Sequence, residues 1–174
     1  EIANDLQELG DIYRYQGAYA HAEQYYTESL VLCREHGLGP CSQLFSLGLL
    51  ALHQNDYALA GQQFTHPINR EQLQHAGSNA ALLLSGLAAV AAGTEQAERA
   101  ARLYGIAQAM WAAHNIRLPA FDQAELERHI QLSREQLGDA KFKALAAEGS
   151  LMSLEQVVAY TQEVGKQIAS NPKE

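Results

Sequence analysis

Cys33, His36 and Cys41 stand close together in this chain, and a thiolate–imidazole set of that kind suits zinc. A closed structural site needs four ligands, however, and no fourth is evident. Cys33 also falls on an apolar helical stripe, where cysteine serves as a small buried hydrophobe. The chain is therefore expected to bind no zinc with useful affinity. Cys41 follows Pro40 at the start of a helix, where the helix dipole lowers a thiol pKa. No base or orienting carboxylate accompanies it, so nucleophilic catalysis lacks its partners. His21, His53, His66, His75, His114 and His129 are scattered, form no HExxH pair and are expected to be mostly solvated. The glycines sit singly and no stretch reads GxxxxGK[ST], so no phosphate cradle is predicted. Pairs such as Glu98 and Arg102 read as solvated helix faces. The residues thus predict no enzyme, no metal and no cofactor.

Composition narrows the choice of elements that carry these residues. The 174 residues include twelve basic and twenty acidic side chains, a net charge of −8 that repels phosphate backbones and argues against direct nucleic-acid binding. Ala, Leu and Gln are plentiful and favour helix. Two cysteines make no disulfide framework, which suits a reduced, cytoplasmic protein. The most apolar run, Ala80 to Ala92, is interrupted by Ser85 and Gly86 and is too short to span a bilayer. It reads as a helix buried on all sides. A start at Glu1 reads as a piece of something longer.

An internal repeat organises the chain. When the sequence is laid over itself so that Leu9 falls on Leu47, Gly10, Tyr19, Ala22 and Tyr26 meet Gly48, Tyr57, Ala60 and Phe64. A second shift of similar length brings up a weaker copy at Leu87, Ala88, Ala97, Ala100 and Tyr104. In the first unit Ile2, Leu6, Leu9 and Tyr13 share one helical face, and Ala22, Tyr26, Leu30 and Cys33 share another. Gly17 lies between the two helices, where a turn needs positive φ, and Asn55 takes its place in the second unit. Gly37, Gly39 and Pro40 end the first unit. Pro67 should kink or break a helix near His66. After Pro119 the period stops. Helices are expected from about Phe121 to Gly138 and from Asp139 to Gly149, and Ser153 with Gln156 forms a capping box for a last one.

Leu6, Leu9, Gly10, Tyr13, Gly17, Tyr19, Ala22, Tyr26 and Ser29 together resemble the tetratricopeptide repeat, as do Leu44, Leu47, Gly48, Tyr57, Ala60 and Phe64. The resemblance implies an all-α, right-handed solenoid of antiparallel helix pairs. Its units span about 3–38, 41–78 and 81–118, so that 1–118 is repeat and 119–174 is a C-terminal helical cap. Such a cap is needed because an unstacked repeat leaves its apolar face wet. With LYGIAQAM (103–110) and the IRLP linker (116–119), the chain also resembles the C-terminal helical region of LuxR-type regulators and related bacterial signalling ATPases. That context implies a regulatory module that binds a protein or peptide segment, or other domains of its parent chain. Sensing of a small-molecule inducer in the concave groove, or a purely structural spacer, are the alternatives.

In tetratricopeptide arrays the first helix of each unit lines the concave surface. In that register Gln7, Asp11, Arg14 and Tyr15, with Asn4, line the groove in unit one, and Phe45, Leu49, Leu52 and His53, with Ser42, line it in unit two. The Lys–Arg–Asn clamp of chaperone-binding members is lacking. Phe45, Leu49 and Leu52 make a second apolar stripe on a helix whose other face already packs, so something must cover them. Either a hydrophobic partner segment does so, or the chain's own cap or a neighbouring domain.

Overall fold

The structure, a computed structural model, describes residues 1–65, 77–115 and 117–170. Among them every regular element is a helix. In chain order these are α1 (Ile2–Tyr15), α2 (Tyr19–Glu35), α3 (Cys41–His53), α4 (Tyr57–Phe64), α5 (Gly77–Gly93), α6 (Ala97–His114), α7 (Ala120–Leu137), α8 (Asp139–Ser150) and α9 (Leu154–Ser170). Among the described residues no helix is long and apolar enough to cross a membrane.

Three helix-to-helix corners share one backbone conformation. Gly17, Asn55 and Glu95 all adopt positive φ, at 77°, 58° and 63°, and they stand at matching places in the three units. At each corner the next amide donates across the turn: Ala18 N–H to Tyr13 O at 2.9 Å, Asp56 N–H to Ala51 O at 2.9 Å, and Gln96 N–H to Ala91 O at 2.8 Å. This left-handed stop satisfies carbonyls that a helix end leaves bare, and it folds the second helix of each pair back on the first. Asp56 also caps α4, its carboxylate accepting from Leu59 N–H at 2.9 Å. The capping box is formed: Ser153 Oγ accepts from Gln156 N–H at 3.3 Å, and Gln156 Oε1 from Ser153 N–H at 2.8 Å.

Side-chain packing repeats as well. A methyl group at Gly10 would overlap the ring of Tyr26, and one at Gly48, its match in the second unit, the ring of Phe64. Absence of a side chain lets the second helix of each pair lay an aromatic ring on the backbone of the first. Phe64 lies against Gly86 of α5 too, and so ties the second pair to the third. Ala22, Tyr26, Leu30 and Cys33 are buried, as the α2 stripe predicted. Helix α5 packs against α3, α4, α6 and α7 and is the centre of the core, in keeping with its apolar run. The Pro67 kink expected near His66 lies outside the described residues.

The C-terminal helices close the assembly in two directions. Helix α8 packs on α6, α7 crosses α3, α5 and α6, and α9 returns to α4. At the α6–α8 crossing the backbones nearly touch, because a methyl at Gly105 would overlap the Ala146 carbonyl and one at Gly149 the Arg102 carbonyl. Gly105→Ala should therefore force the two helices apart and cost roughly 1–3 kcal/mol, seen as a lowered melting temperature. An unchanged melt would place the two helices further apart than described.

Candidate functional site

The predicted groove residues of α1 meet α7. Arg14 is only 3% exposed, and its guanidinium donates to Asp122 Oδ1 at 2.5 Å and to the Tyr26 hydroxyl at 3.0 Å. The Tyr26 hydroxyl in turn donates to Asp11 Oδ1 at 2.7 Å. The rings of Tyr15 and Phe121, tilted against each other with centroids 5.1 Å apart, both lie near the guanidinium, at 4.9 and 5.3 Å, where aromatic faces favour a cation. Burial opposes the charge of Arg14, but Asp122 and Tyr26 outweigh it and raise its pKa. Burial pushes Asp11 up from the ordinary carboxylate range and pushes Tyr26 up likewise. Gln7 donates to Ser46 Oγ at 2.7 Å and ties α1 to α3.

Further along, α7 meets α3 and α4 through a second polar cluster. Glu125 accepts from Arg128 at 2.8 Å and lies 3.4 Å from His53 Nδ1 and 3.3 Å from His129 Nε2. Arg128 also reaches the carbonyl of Leu52 at 3.4 Å, and the Tyr57 hydroxyl lies 3.5 Å from His129 Nδ1. Tyr19 packs its ring on His53 at 4.5 Å. Burial raises the pKa of Glu125, but its bonds to His129, Arg128 and His53 prevail and hold it at about 2. A carboxylate so depressed is a poor proton acceptor near neutral pH, so the cluster fits a fastening between helices better than acid–base chemistry.

The sign of the linkage follows from that depression. Folding favours the ionised form, so the contribution is complete above the ordinary value of 4.5 and is lost as pH falls from there through about 2. It amounts to on the order of 2–3 kcal/mol, discounted because Arg128 is half exposed. Urea midpoints should thus fall across that window, and Glu125→Gln should flatten the fall. A wild-type slope unchanged by Glu125→Gln would put the loss elsewhere.

The predicted groove residues divide into three sets. Gln7, Asp11 and Arg14 are engaged by the chain itself, while Tyr15 and His53 remain about two-fifths exposed at the rim, at 42% and, for the His53 side chain, 40%. Phe45, Leu49 and Leu52 are 4, 1 and 0% exposed, which removes them from any accessible groove. They belong to the core shared by α3, α4, α5 and α7, and Phe45 packs on Phe64 with ring centroids 6.1 Å apart.

Two other expectations change. His129 is not solvated but wholly buried, because it faces α4 between Glu125 and Tyr57. The Cys41 thiol is buried as well, and that burial pushes its pKa up, against the expected lowering at a helix start. Cys33 and Cys41 are both free and buried, and His36 is exposed. Among the described residues no group of three His, Cys, Asp or Glu side chains is placed to hold a metal ion. Sequence reasoning did not find Asp122, Glu125, Arg128 and His129. Their helical spacing, interleaved with Leu126 and Ile130, is the signal that α7 carries a polar stripe into the core.

The chain matches no family model, no curated protein and no solved structure.

Proposed function

We propose that this chain is a tetratricopeptide-like module that works by binding protein segments, as the regulatory part of a multidomain bacterial signalling or transcription protein. One observation carries the reading: α7 lies across the first helices of the repeat pairs and is fastened there by Arg14–Asp122 and by His53, Glu125 and Arg128. In a repeat array that is the surface on which a peptide partner is held, and here the chain's own helix occupies it. The matched corners at Gly17, Asn55 and Glu95 and the matched Gly10–Tyr26 and Gly48–Phe64 contacts support the finer reading of the fold as a solenoid with a C-terminal cap. A partner then competes with α7, and its apparent affinity scales with the fraction of molecules in which α7 is released.

Peptide display on the chain tests this. Selected peptides should be displaced by a synthetic α7 peptide, Ala120–Leu137, and Glu125→Gln should raise their apparent affinity about tenfold by weakening the fastening. A selection with no peptide that α7 displaces would sink the reading.

A second reading, a small-molecule sensor, is favoured by a cavity of about 370 Å³ between α5, α6 and α7, lined by Tyr104, Gln108, Trp111 and Gln123. Among the described residues the buried indole N–H of Trp111 meets no acceptor. Trp111 is the only tryptophan, so a ligand seated in this cavity would change the intrinsic fluorescence directly.

A further inference from the structure

The cavity between α5, α6 and α7 is apolar at its floor and polar at its mouth. Ala107, Leu126 and Ile130 line it at 1, 4 and 1% exposure, whereas Arg117 and Gln123 line it and are open to solvent. Ser85, also in the lining, spends its hydroxyl on the Ala81 carbonyl at 2.7 Å and so asks nothing of a ligand. Glu127, the carboxylate of the lining, accepts from Arg134 at 3.4 Å, and its charge is answered there. The donors left over are the buried Trp111 N–H, without an acceptor among the described residues, and the Arg117 guanidinium at the mouth. At about 370 Å³ the space lies at the small end of ligand pockets, which run from roughly 300 to 1,000 Å³.

Such a space calls for an apolar body that carries an acceptor at one end. We infer that the cavity takes a small monocarboxylate with an aliphatic or aryl body, and that this ligand keeps α7 in its seat. A carboxylate accepts charge-assisted bonds from a guanidinium, whereas an ammonium group would be repelled by it. The hold on α7 follows from where the walls come from. Gln123, Leu126, Glu127 and Ile130 all stand on α7. They occupy a different face of it from Asp122, Glu125 and His129, which meet α1, α3 and α4. When α7 lifts from α1 and α3 the cavity loses a wall, and the ligand loses its site. A ligand that binds only the seated form stabilises that form by mass action. By linkage it opposes any partner that needs α7 released.

The ligand site rests on the second reading above and the hold on α7 on the first, and the two are separable by experiment. The probes are phenylacetate and hexanoate, each beside its amide and the amine of the same carbon skeleton. They are titrated into the whole chain while the fluorescence of Trp111 is read. Both carboxylates should shift the emission saturably, the amides should bind about tenfold more weakly, and the amines should not bind. Arg117→Gln should erase the preference for carboxylate over amide and leave the melting curve in place, since Arg117 is exposed. With carboxylate at about ten times its Kd, peptides that the α7 peptide displaces should bind about tenfold more weakly. The amides of α7 should also exchange more slowly than without ligand. No saturable change with any probe, equal binding of carboxylate and amide, or a preference that survives Arg117→Gln would overturn the site. A bound carboxylate that leaves α7 exchange unchanged would overturn the hold on α7. If Trp111 responds as expected but no α7-displaceable peptide is found, the partner reading fails and the cavity stands. The reverse result sinks the cavity alone.

Discussion

Leu49→Asp is expected to leave the chain without a cooperative folding transition. Leu49 is 1% exposed in the middle of α3, surrounded by the core that α3 shares with α4, α5 and α7. A carboxylate placed there loses its hydration and gains no partner, so it must stay protonated or drag water in. Either course costs on the order of 5 kcal/mol, much of the roughly 5–15 kcal/mol that holds a domain of this size together. Phe45→Ala removes a ring that packs on Phe64 and should cost about 3–5 kcal/mol. Circular dichroism through a urea titration reads both. If Leu49→Asp keeps a wild-type transition, Leu49 faces solvent and the placement of α7 over α3 is wrong.

The same residue marks what could be read from the sequence and what could not. Periodicity places Phe45, Leu49 and Leu52 on one face and Leu44, Leu47 and Gly48 on the other, so it tells that both faces are covered. It is silent on the cover, because α4, α5 and α6 all come between α3 and α7 in the chain, and no local pattern encodes where so distant a helix lands. Corners are easier. A left-handed residue is a local demand, and Gly17 and Asn55 announce it by type, whereas Glu95 does so only through its place in the repeat. Helix bounds after Pro119 are legible within a residue or so, since Gly138 and the Ser153–Gln156 box are local stop and start signals.

Long-range contacts account for the misses. His129 reads as one more scattered histidine because its partners include Tyr57, 72 residues earlier. Ile2 and Leu9 have the spacing of a packing stripe yet stand 69 and 40% exposed, since a stripe declares that it wants a neighbour and not that one is present. The Gly105–Gly149 crossing is hidden for a related reason: a glycine inside a helix reads as a weakness until the second backbone is known.

Asp122→Ala should cost about 3–5 kcal/mol, the second large effect. Its carboxylate is the charge partner of Arg14, and both side chains are nearly enclosed, at 9 and 3% exposure. Removing the acid leaves a guanidinium that cannot be deprotonated, with Tyr26 as its remaining buried acceptor and Asp11 3.8 Å away. Removing both charges is a different matter, because the desolvation cost disappears with them. Arg14→Met combined with Asp122→Leu should recover most of the loss, and the coupling in the double-mutant cycle should be large and favourable. The pair is then a device of register more than of strength: it fixes where α7 lies on α1, 108 residues away in the chain. Hydrogen exchange separates the two roles. In Asp122→Ala, amides of α7 should exchange faster than those of α5, because the fastening to α1 is lost while the central helix keeps its neighbours. Uniform acceleration across both helices would mean that Arg14 and Asp122 hold up the whole core, and that α7 cannot detach from α1 and α3 without unfolding it.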